Sequence, residues 1–550
     1  MDRRPGGAMI SAPDAAAVDA GARVLERGGN AIDAAVTAAF VQGVVDPHDS
    51  SIGGYVLLTL HDPTIADAGP IALDAPALAG SKTRPDMWVD RFLRPSPDGW
   101  GFFLRGHVNE LGYTSICTPG LALGLETILE RWGSSTLADA VAPAASLATD
   151  GFVVDDRVAS YWQEPAAYAE QASILDYVLS NAECSRIYLR DGQPPRAGDL
   201  VRNPDYGATL MTLGERGARD FYTGALADRI ARDLAMNGSF VTDDDLASYA
   251  LPEVEPVVGT YRGYTIATSP APHGGPTLVE ILNILERFDV ASMGHNSAAC
   301  ILLVARAMEA AFADRNRYLG DPRFVDVRLE WMTSKERADE WRVTVAGDEE
   351  IAVEMVPAGA AGTTQVTVVD GAGRWVSLTH SLGGSSGVVT PGLGFQYNNS
   401  MINFHPLPGH PNSIAPRKSR TTGMAPTIVY RDGEPVLALG APGATRIITS
   451  IAQVIVNVID FGMGIQEAIL APRFDAQGGP IRCQARIPES VCEEVRGSHP
   501  IERLPRGHGG IGLVHGIAMD PSSRHLSGGA DTGASGMALY VGTGSTRRPA

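Results

Sequence analysis

Apolar positions in this chain recur at helical spacing before residue 362 and alternate with polar ones after it. Pro13-Asp14 opens a predicted helix through Leu25, and Gly28-Gly29 ends it. Asn30 offers an N-cap to the next helix, whose apolar positions Ile32, Ala35, Val36, Ala39 and Phe40 keep helical spacing. Its alanine content predicts close packing on a neighbour, and Asp46-Pro47 stops it. Ser51-Ile52-Gly53-Gly54-Tyr55 reads as a tight turn into a strand from Val56 to Leu60. No Lys-Ser/Thr follows these glycines, so they are not a phosphate loop. Further helices are predicted as a pair over 119–151, then over 155–182, as a pair over 205–236, and over 277–288 and 296–319. Residues 251–266 alternate and predict strands, and residues 336–361 read as polar linker.

Residues 84–113 have no clear period. Trp88, Phe92, Trp100, Phe102 and Phe103 stand among prolines and glycines. The segment reads equally as a loop packed by its own aromatics and as the wall of a pocket.

The stretch from Gly362 to Asp370 stands apart. Gln365 to Val369 has the β-branched habit of a strand, Asp370-Gly371 signals a hairpin, and Trp375 to Thr379 predicts its second strand. A threonine at the head of a strand usually caps or pairs locally. Thr363 has a second use if the preceding bond is cut, because its freed α-amine then sits beside its own hydroxyl as a base.

Length and composition narrow the class. A chain of 550 residues exceeds one ordinary core, which predicts two lobes or one large multilayer unit. It is 44% hydrophobic and 19% charged, as expected of a globular protein. A net charge of −19 without a basic stripe argues against nucleic acid as a partner. No eighteen-residue apolar run predicts a membrane span, and no signal region follows the first arginines. The five cysteines, Cys117, Cys184, Cys300, Cys483 and Cys492, are scattered and lack a metal-type spacing, so reduced thiols and a cytoplasmic location are expected. Helices before residue 362 and strands after it predict sheets covered by helices.

Several short motifs occur together in one order. They are Gly29-Asn30-Ala31-Ile32-Asp33-Ala34-Ala35, Ile52-Gly53-Gly54, Thr118-Pro119-Gly120, Tyr261-Arg262-Gly263-Tyr264 and Ala311 to Pro322. Thr363-Thr364, Asn398-Asn399 and Pro442-Gly443-Ala444-Thr445-Arg446 follow. In this order they resemble the gamma-glutamyltranspeptidase family of N-terminal-nucleophile hydrolases. The resemblance implies an α/β (α+β) fold, a four-layer αββα sandwich, made as one precursor. It implies a cut between Gly362 and Thr363, with chains 1–362 and 363–550 staying together as one unit. Thr363 would be nucleophile and base, Thr379 and Ser381 would bond its hydroxyl and amine, and Gly443 and Ala444 would stabilise an oxyanion. Asn399, Asn403, Thr422 and Gly423 match substrate-binding positions. No metal or organic cofactor is implied, and a homodimer of the processed unit is left open.

The departures bear on substrate. The family's carboxylate-binding arginine is missing from Ile71 to Ala77, where Ala72 stands in its place. The ammonium-binding aspartate is Asn403, a Ser-Ser pair is Thr422-Gly423, and a site asparagine is lost around Gly383-Gly384. Arg417 and Lys418, a few residues before Thr422, are candidates for a replacement positive charge, which leaves an acidic acyl group open. Three readings stay open. One is a hydrolase or acyltransferase acting on an amide other than plain glutathione, with the conventional glutathione hydrolase as its variant. The second is a carbon–carbon hydrolase acting on a keto or enol acid in the biosynthesis of a substituted-proline antibiotic. The third is a scaffold without catalysis.

Overall fold

In the computed structural model, which describes residues 7–65, 69–96, 101–166, 168–354, 362–505, 507–542 and 548–549, strand parity decides the architecture. The strands of the two main sheets are, in chain order, β1 (Gly7–Ala12), β2 (Tyr55–His61), β3 (Ile71–Ala75), β4 (Val257–Tyr261), β5 (Tyr264–Thr268), β6 (Gly362–Val369), β7 (Trp375–Gly383), β8 (Thr427–Arg431), β9 (Glu434–Gly440), β10 (His515–Met519), β11 (Leu526–Ala530), β12 (Met537–Gly542) and β13 (Arg548–Pro549). The first sheet runs β13-β12-β1-β6-β7-β2-β3 and the second runs β11-β10-β9-β8-β5-β4. Every pairing within them is antiparallel.

Each sheet buries one face against helices. The helices concerned are α1 (Ala15–Glu26), α2 (Ala31–Val45), α3 (Leu121–Trp132), α4 (Leu137–Asp150), α5 (Gly275–Leu285), α6 (Ala298–Tyr318) and α7 (Arg446–Ile459). Ile10, Val366, Val368, Val376 and Leu378 of the first sheet share a core with Ile32, Val36 and Phe40 of α2, Leu125 of α3 and Val141 of α4. Ile266, Val429, Leu437 and Leu439 of the second share another with Leu278 and Ile281 of α5, Met308 of α6 and Ile451 of α7. Between the sheets Met9, Val369 and Trp375 meet Ala267, Ile428, Ala438 and Ile517. The layers are therefore helix, sheet, sheet, helix, as the αββα expectation has it.

The layer between the sheets is partly polar. Ser11 Oγ donates to Gly529 O (2.8 Å), Thr59 Oγ1 to Pro426 O (2.7 Å), Thr367 Oγ1 to His515 O (3.1 Å) and Ser377 Oγ to Leu439 O (2.9 Å). Each such bond is worth roughly 0.5–1.5 kcal/mol net and ties one sheet to the other in a fixed register. This explains why β6 and β7 alternate polar and apolar residues although both faces are buried.

Helix α2 is buried at every position, which is why its sequence is rich in alanine and carries no polar face. Asn30 caps it as expected, accepting from Ile32 N and Asp33 N in a capping box. Two sequence expectations need correction. The helix expected over 155–182 is three short ones, Asp156–Gln163, Ile174–Leu179 and Ala182–Tyr188. Asp155, Ser173 and Asn181 each cap one, and Pro165 lies just beyond the end of the first. The expected linker over 336–361 begins instead as a helix, Lys335–Ala346, capped by Ser334. Arg337 and the Trp341 indole both bond Asp314 on α6, so ionic contacts hold a helix whose apolar stripe is weak. Residues 355–361 of that expectation lie outside the described residues, as does Trp100.

The helix-facing side of β7 carries a buried histidine. His380 Nε2 donates to Gln42 Oε1 (2.8 Å), and its Nδ1 meets Ser50 Oγ (2.6 Å). Burial pushes this imidazole down to about 3 from an ordinary 6.5. An unfolded histidine takes up its proton first as pH falls, so the stability held by the neutral ring is complete above pH 6.5 and is lost toward pH 3. The stability difference between wild type and His380→Gln should therefore shrink on acidification, by roughly 1.4 kcal/mol per pH unit. Denaturant midpoints of both proteins from about pH 7 to about pH 4 measure it, and parallel curves would contradict the assignment.

Candidate active site

Thr363 stands second in β6, directly opposite Ser381 of β7, and the pairing is irregular between Gly362 and Thr363. Residues 363, 365 and 367 face the second sheet together with 377, 379 and 381, because side chains alternate along a strand. Thr363 Oγ1 lies 2.8 Å from Ser381 Oγ. Ser381 Oγ donates to the carbonyl of Gly362, and it lies 2.8 Å from both Tyr55 Oη and the Gly383 N–H, which donate to it. One hydroxyl thus touches the hydroxyl of Thr363 and the carbonyl on the other side of the same peptide bond. With Ser381 donating to the carbonyl, three donors compete for its two lone pairs.

Thr379 lies elsewhere. It pairs with Gln365, and its Oγ1 donates to Gln365 Oε1 (2.6 Å). Gln365 Nε2 then reaches Thr367 Oγ1 and Ser377 Oγ, both at 3.1 Å. Thr379 therefore belongs to the polar ladder beneath the site in the uncut chain, two positions before Ser381 along β7.

Gly443 and Ala444 form the loop between β9 and α7, with φ of +138° and +55°. Their carbonyls accept from Arg446 N and Ile447 N, which begins the turn of α7 and places their own N–H groups at its N-terminal end. Gly423 is needed against this loop, since a β-carbon on it would lie 2.1 Å from Ala444 O. At the near end of the loop, a β-carbon on Gly440 would lie 2.2 Å from Gln365 Oε1. The loop thus leaves the second sheet beside the strand that carries Thr363.

Of the residues matched to substrate, Asn399 stands beside Gly383. A β-carbon placed there would lie 3.3 Å from Asn399 Oδ1, 3.6 Å from Arg420 Nη2 and 3.6 Å from Tyr55 Oη. Asn399 Nδ2 donates to Glu110 O (3.2 Å), which brings that end of the segment 84–113 against the site, while Phe92 and Phe102 pack on each other. The Oδ1 atoms of Asn399 and Asn403 are buried without hydrogen-bond partners. Thr422 is already engaged: its Oγ1 accepts from Met424 N (3.1 Å) and lies 2.9 Å from His273 Nδ1. His273 Nε2 in turn meets Asp74 Oδ2 at 3.0 Å. His273 is therefore a buried link from Asp74 to Thr422.

The expected replacement charges are not free. Lys418 Nζ donates to the carbonyls of Pro411 (2.6 Å) and Ser413 (2.9 Å), and Arg417 pairs with Asp244 and Asp245 at the surface. The cation at the site is Arg420, which the sequence reading passed over although it lies only two residues before Thr422. Tyr55, the first strand residue after the Gly53-Gly54 turn, carries no local sequence signal of its contact with Ser381. All five cysteines are buried and free.

Residues 17–541 match the family model described as Gamma-glutamyltranspeptidase. The Glutathione hydrolase proenzyme of Escherichia coli (strain K12) is 34% identical over 492 residues, 86% of this chain and 81% of that protein. The Acylase ACY 1 proenzyme of Pseudomonas sp. (strain V22) is 35% identical over 537 residues, 96% and 92% of the two chains. The crystal structure of cephalosporin acylase from Bacillus halodurans superposes with a TM-score of 0.85 at 27% identity, covering 98% of this chain and 97% of that one. The chain therefore belongs to the gamma-glutamyltranspeptidase family of hydrolases and acyltransferases, an enzyme family with the N-terminal-nucleophile hydrolase fold.

Proposed function

We propose that this protein cuts itself between Gly362 and Thr363 and then uses Thr363 as an N-terminal nucleophile toward an amide other than plain glutathione. The observation that carries the reading is the single Ser381 hydroxyl bonded to both the Thr363 hydroxyl and the Gly362 carbonyl. In self-cleavage Thr363 Oγ1 attacks the Gly362 carbonyl carbon, and Ser381 donates to the oxygen that gains charge. The C–N bond breaks, its nitrogen takes the hydroxyl proton, and an ester links Gly362 to Thr363 Oγ1. Water then cleaves the ester, leaving a carboxylate on Gly362 and a free amine and hydroxyl on Thr363. The same groups serve turnover. The amine takes the hydroxyl proton, the hydroxyl attacks the substrate carbonyl, and the Gly443 and Ala444 N–H groups suit the developing oxyanion. Water or an acceptor amine resolves the acyl-enzyme. The names of the relatives, proenzymes that are a glutathione hydrolase and an acylase, support both processing and amide acyl transfer.

The substrate reading rests on charge. A γ-glutamyl group brings a carboxylate and an ammonium, and burying each needs an opposite charge or several hydrogen bonds. Ala72 and neutral Asn403 stand where the glutamyl-specific pattern has arginine and aspartate. Steady-state kinetics of the processed protein on a γ-glutamyl anilide should give a kcat/KM well below about 10⁴ M⁻¹s⁻¹. A value at or above that level would remove the charge argument and favour a conventional glutathione hydrolase.

A further inference from the structure

The loop of residues 46–50, which follows α2, touches the Gly362–Thr363 bond from two sides. A β-carbon on Gly362 would lie 2.8 Å from the His48 carbonyl oxygen and 2.9 Å from Gly384 Cα, so Gly362 is seated between this loop and the residue that follows β7. The same loop holds both neighbours of Ser381. Leu382 N donates to the Asp49 carbonyl (3.0 Å), and Ser50 Oγ meets His380 Nδ1 (2.6 Å). One short loop thus fixes the residue whose carbonyl would be attacked and the strand segment whose hydroxyl donates to that carbonyl.

The helix Asp156–Gln163 grips this loop through two side chains. Arg157 donates from Nη2 to Asp46 Oδ2 and from Nη1 to Asp49 Oδ2 (3.1 Å). The ring of His48, between those aspartates, stands edge-on to Trp162 with centroids 4.9 Å apart. Arg157 Nη2 also lies 3.8 Å from Asp14 Oδ1. Asp14, Asp46 and Asp49 are all buried, and among the described residues Arg157 is the one cation paired with them. Burial and the charge of Asp46 push Asp14 up to about 7 and Asp49 well above the ordinary 3.8, against the pull of Arg157. Removing one partner from such a buried group leaves the others uncompensated. Without the guanidinium, nothing ties the side chain of Asp46 to that of Asp49.

We propose that Arg157 is a positioning residue for self-cleavage: by tying Asp46 to Asp49 it fixes the 46–50 loop, and the loop holds the Gly362 carbonyl against Ser381 and within reach of Thr363. This rests on the reading of Gly362–Thr363 as the bond that is cut. Arg157 touches no reacting atom and acts only through the loop. Its forked donors suit the task, because one planar group reaches both carboxylates at once. An attack within one chain depends on placement, and a shift of about 1 Å in the reacting groups can cost on the order of 10²-fold in rate.

The test makes the full chain by cell-free synthesis, stops synthesis, and follows its conversion to two chains on a denaturing gel. Arg157→Gln should cut on the order of 10²-fold more slowly than wild type. Arg157→Lys, which keeps the charge but not the fork, should recover part of the rate. Asp49→Asn should slow cutting in wild type yet add little to Arg157→Gln, because both changes break the same tie. Gly362→Ala, which crowds the His48 carbonyl from the other side, should slow cutting as well. Melting temperatures of the same variants, each combined with Thr363→Ala to keep the chain whole, show that the rates compare folded proteins. Cutting by folded Arg157→Gln at the wild-type rate, or slowing by Arg157→Gln and Asp49→Asn that simply multiplies, overturns the proposal and leaves the self-cleavage reading intact. A wild-type chain that is never cut overturns the self-cleavage reading itself. If Arg157→Gln does not fold, Arg157→Lys and Gly362→Ala decide: slow cutting by both sustains the proposal, and wild-type rates overturn it.

Discussion

Thr363→Ala should yield one uncut polypeptide with no amidase activity. The alanine has no oxygen to attack the Gly362 carbonyl, so the ester cannot form and the α-amine is never released. The loss is all-or-none because one atom, Oγ1, serves both processing and turnover. Stability should change little, since the Thr363 side chain makes a single hydrogen bond, to Ser381. That bond is worth roughly 0.5–1.5 kcal/mol, and its loss leaves Ser381 with other partners. Thr363→Ser keeps the hydroxyl but frees its rotamer, because the methyl that restricts χ1 is gone. It should process slowly and incompletely. A denaturing gel over time distinguishes the three proteins, and a cut Thr363→Ala chain would mean that another group performs the cleavage.

The second large effect is expected from Ser381→Ala. Ser381 donates to the Gly362 carbonyl on which negative charge gathers during cleavage. Removing one donor of this kind costs about 10²–10³ in rate, or about 2.7–4 kcal/mol. The change also leaves Tyr55 Oη and the Gly383 N–H without their acceptor in a fully buried place, for a stability loss of about 1–3 kcal/mol. The two numbers separate the roles. A purely structural Ser381 would lower the melting temperature and leave the processing rate at a given folded fraction unchanged. A rate within a few-fold of wild type would remove Ser381 from the cleavage step. Thr379→Ala, by contrast, opens the Gln365 ladder and touches Thr363 only through it.

Much of this was legible in the residues. The β-branched run from Gln365 to Val369 and the Asp370-Gly371 turn mark the hairpin that carries Thr363 and Ser381. The period of two in β6 and β7 explains why Ser381, not Thr379, meets Thr363: pairing is set by register, and only the fold supplies the register. Asn30 and its capping box were readable because a cap acts over three residues. The helix Lys335–Ala346 was not, because its hold on the molecule is through Asp314 of α6, far away in sequence. The surroundings of Thr422 were hidden for the same reason. Asp74, His273 and Thr422 come from three separate stretches, and only their meeting shows that the Thr422 hydroxyl is already used. Arg420 could not be told from Arg417 and Lys418 by position alone. Its burial, with Nε and Nη2 unbonded, distinguishes it from them, and burial is a property of the fold.

The central claim is that Thr363 becomes a chain terminus by the protein's own chemistry. Intact-mass measurement of purified wild-type protein, with N-terminal sequencing of the smaller chain, tests it most directly. The account predicts chains 1–362 and 363–550, the second beginning Thr363-Thr364-Gln365-Val366, formed without added protease and absent from Thr363→Ala. An enzymatically active protein that remains one chain of 550 residues, or one cut at a different bond, would contradict it.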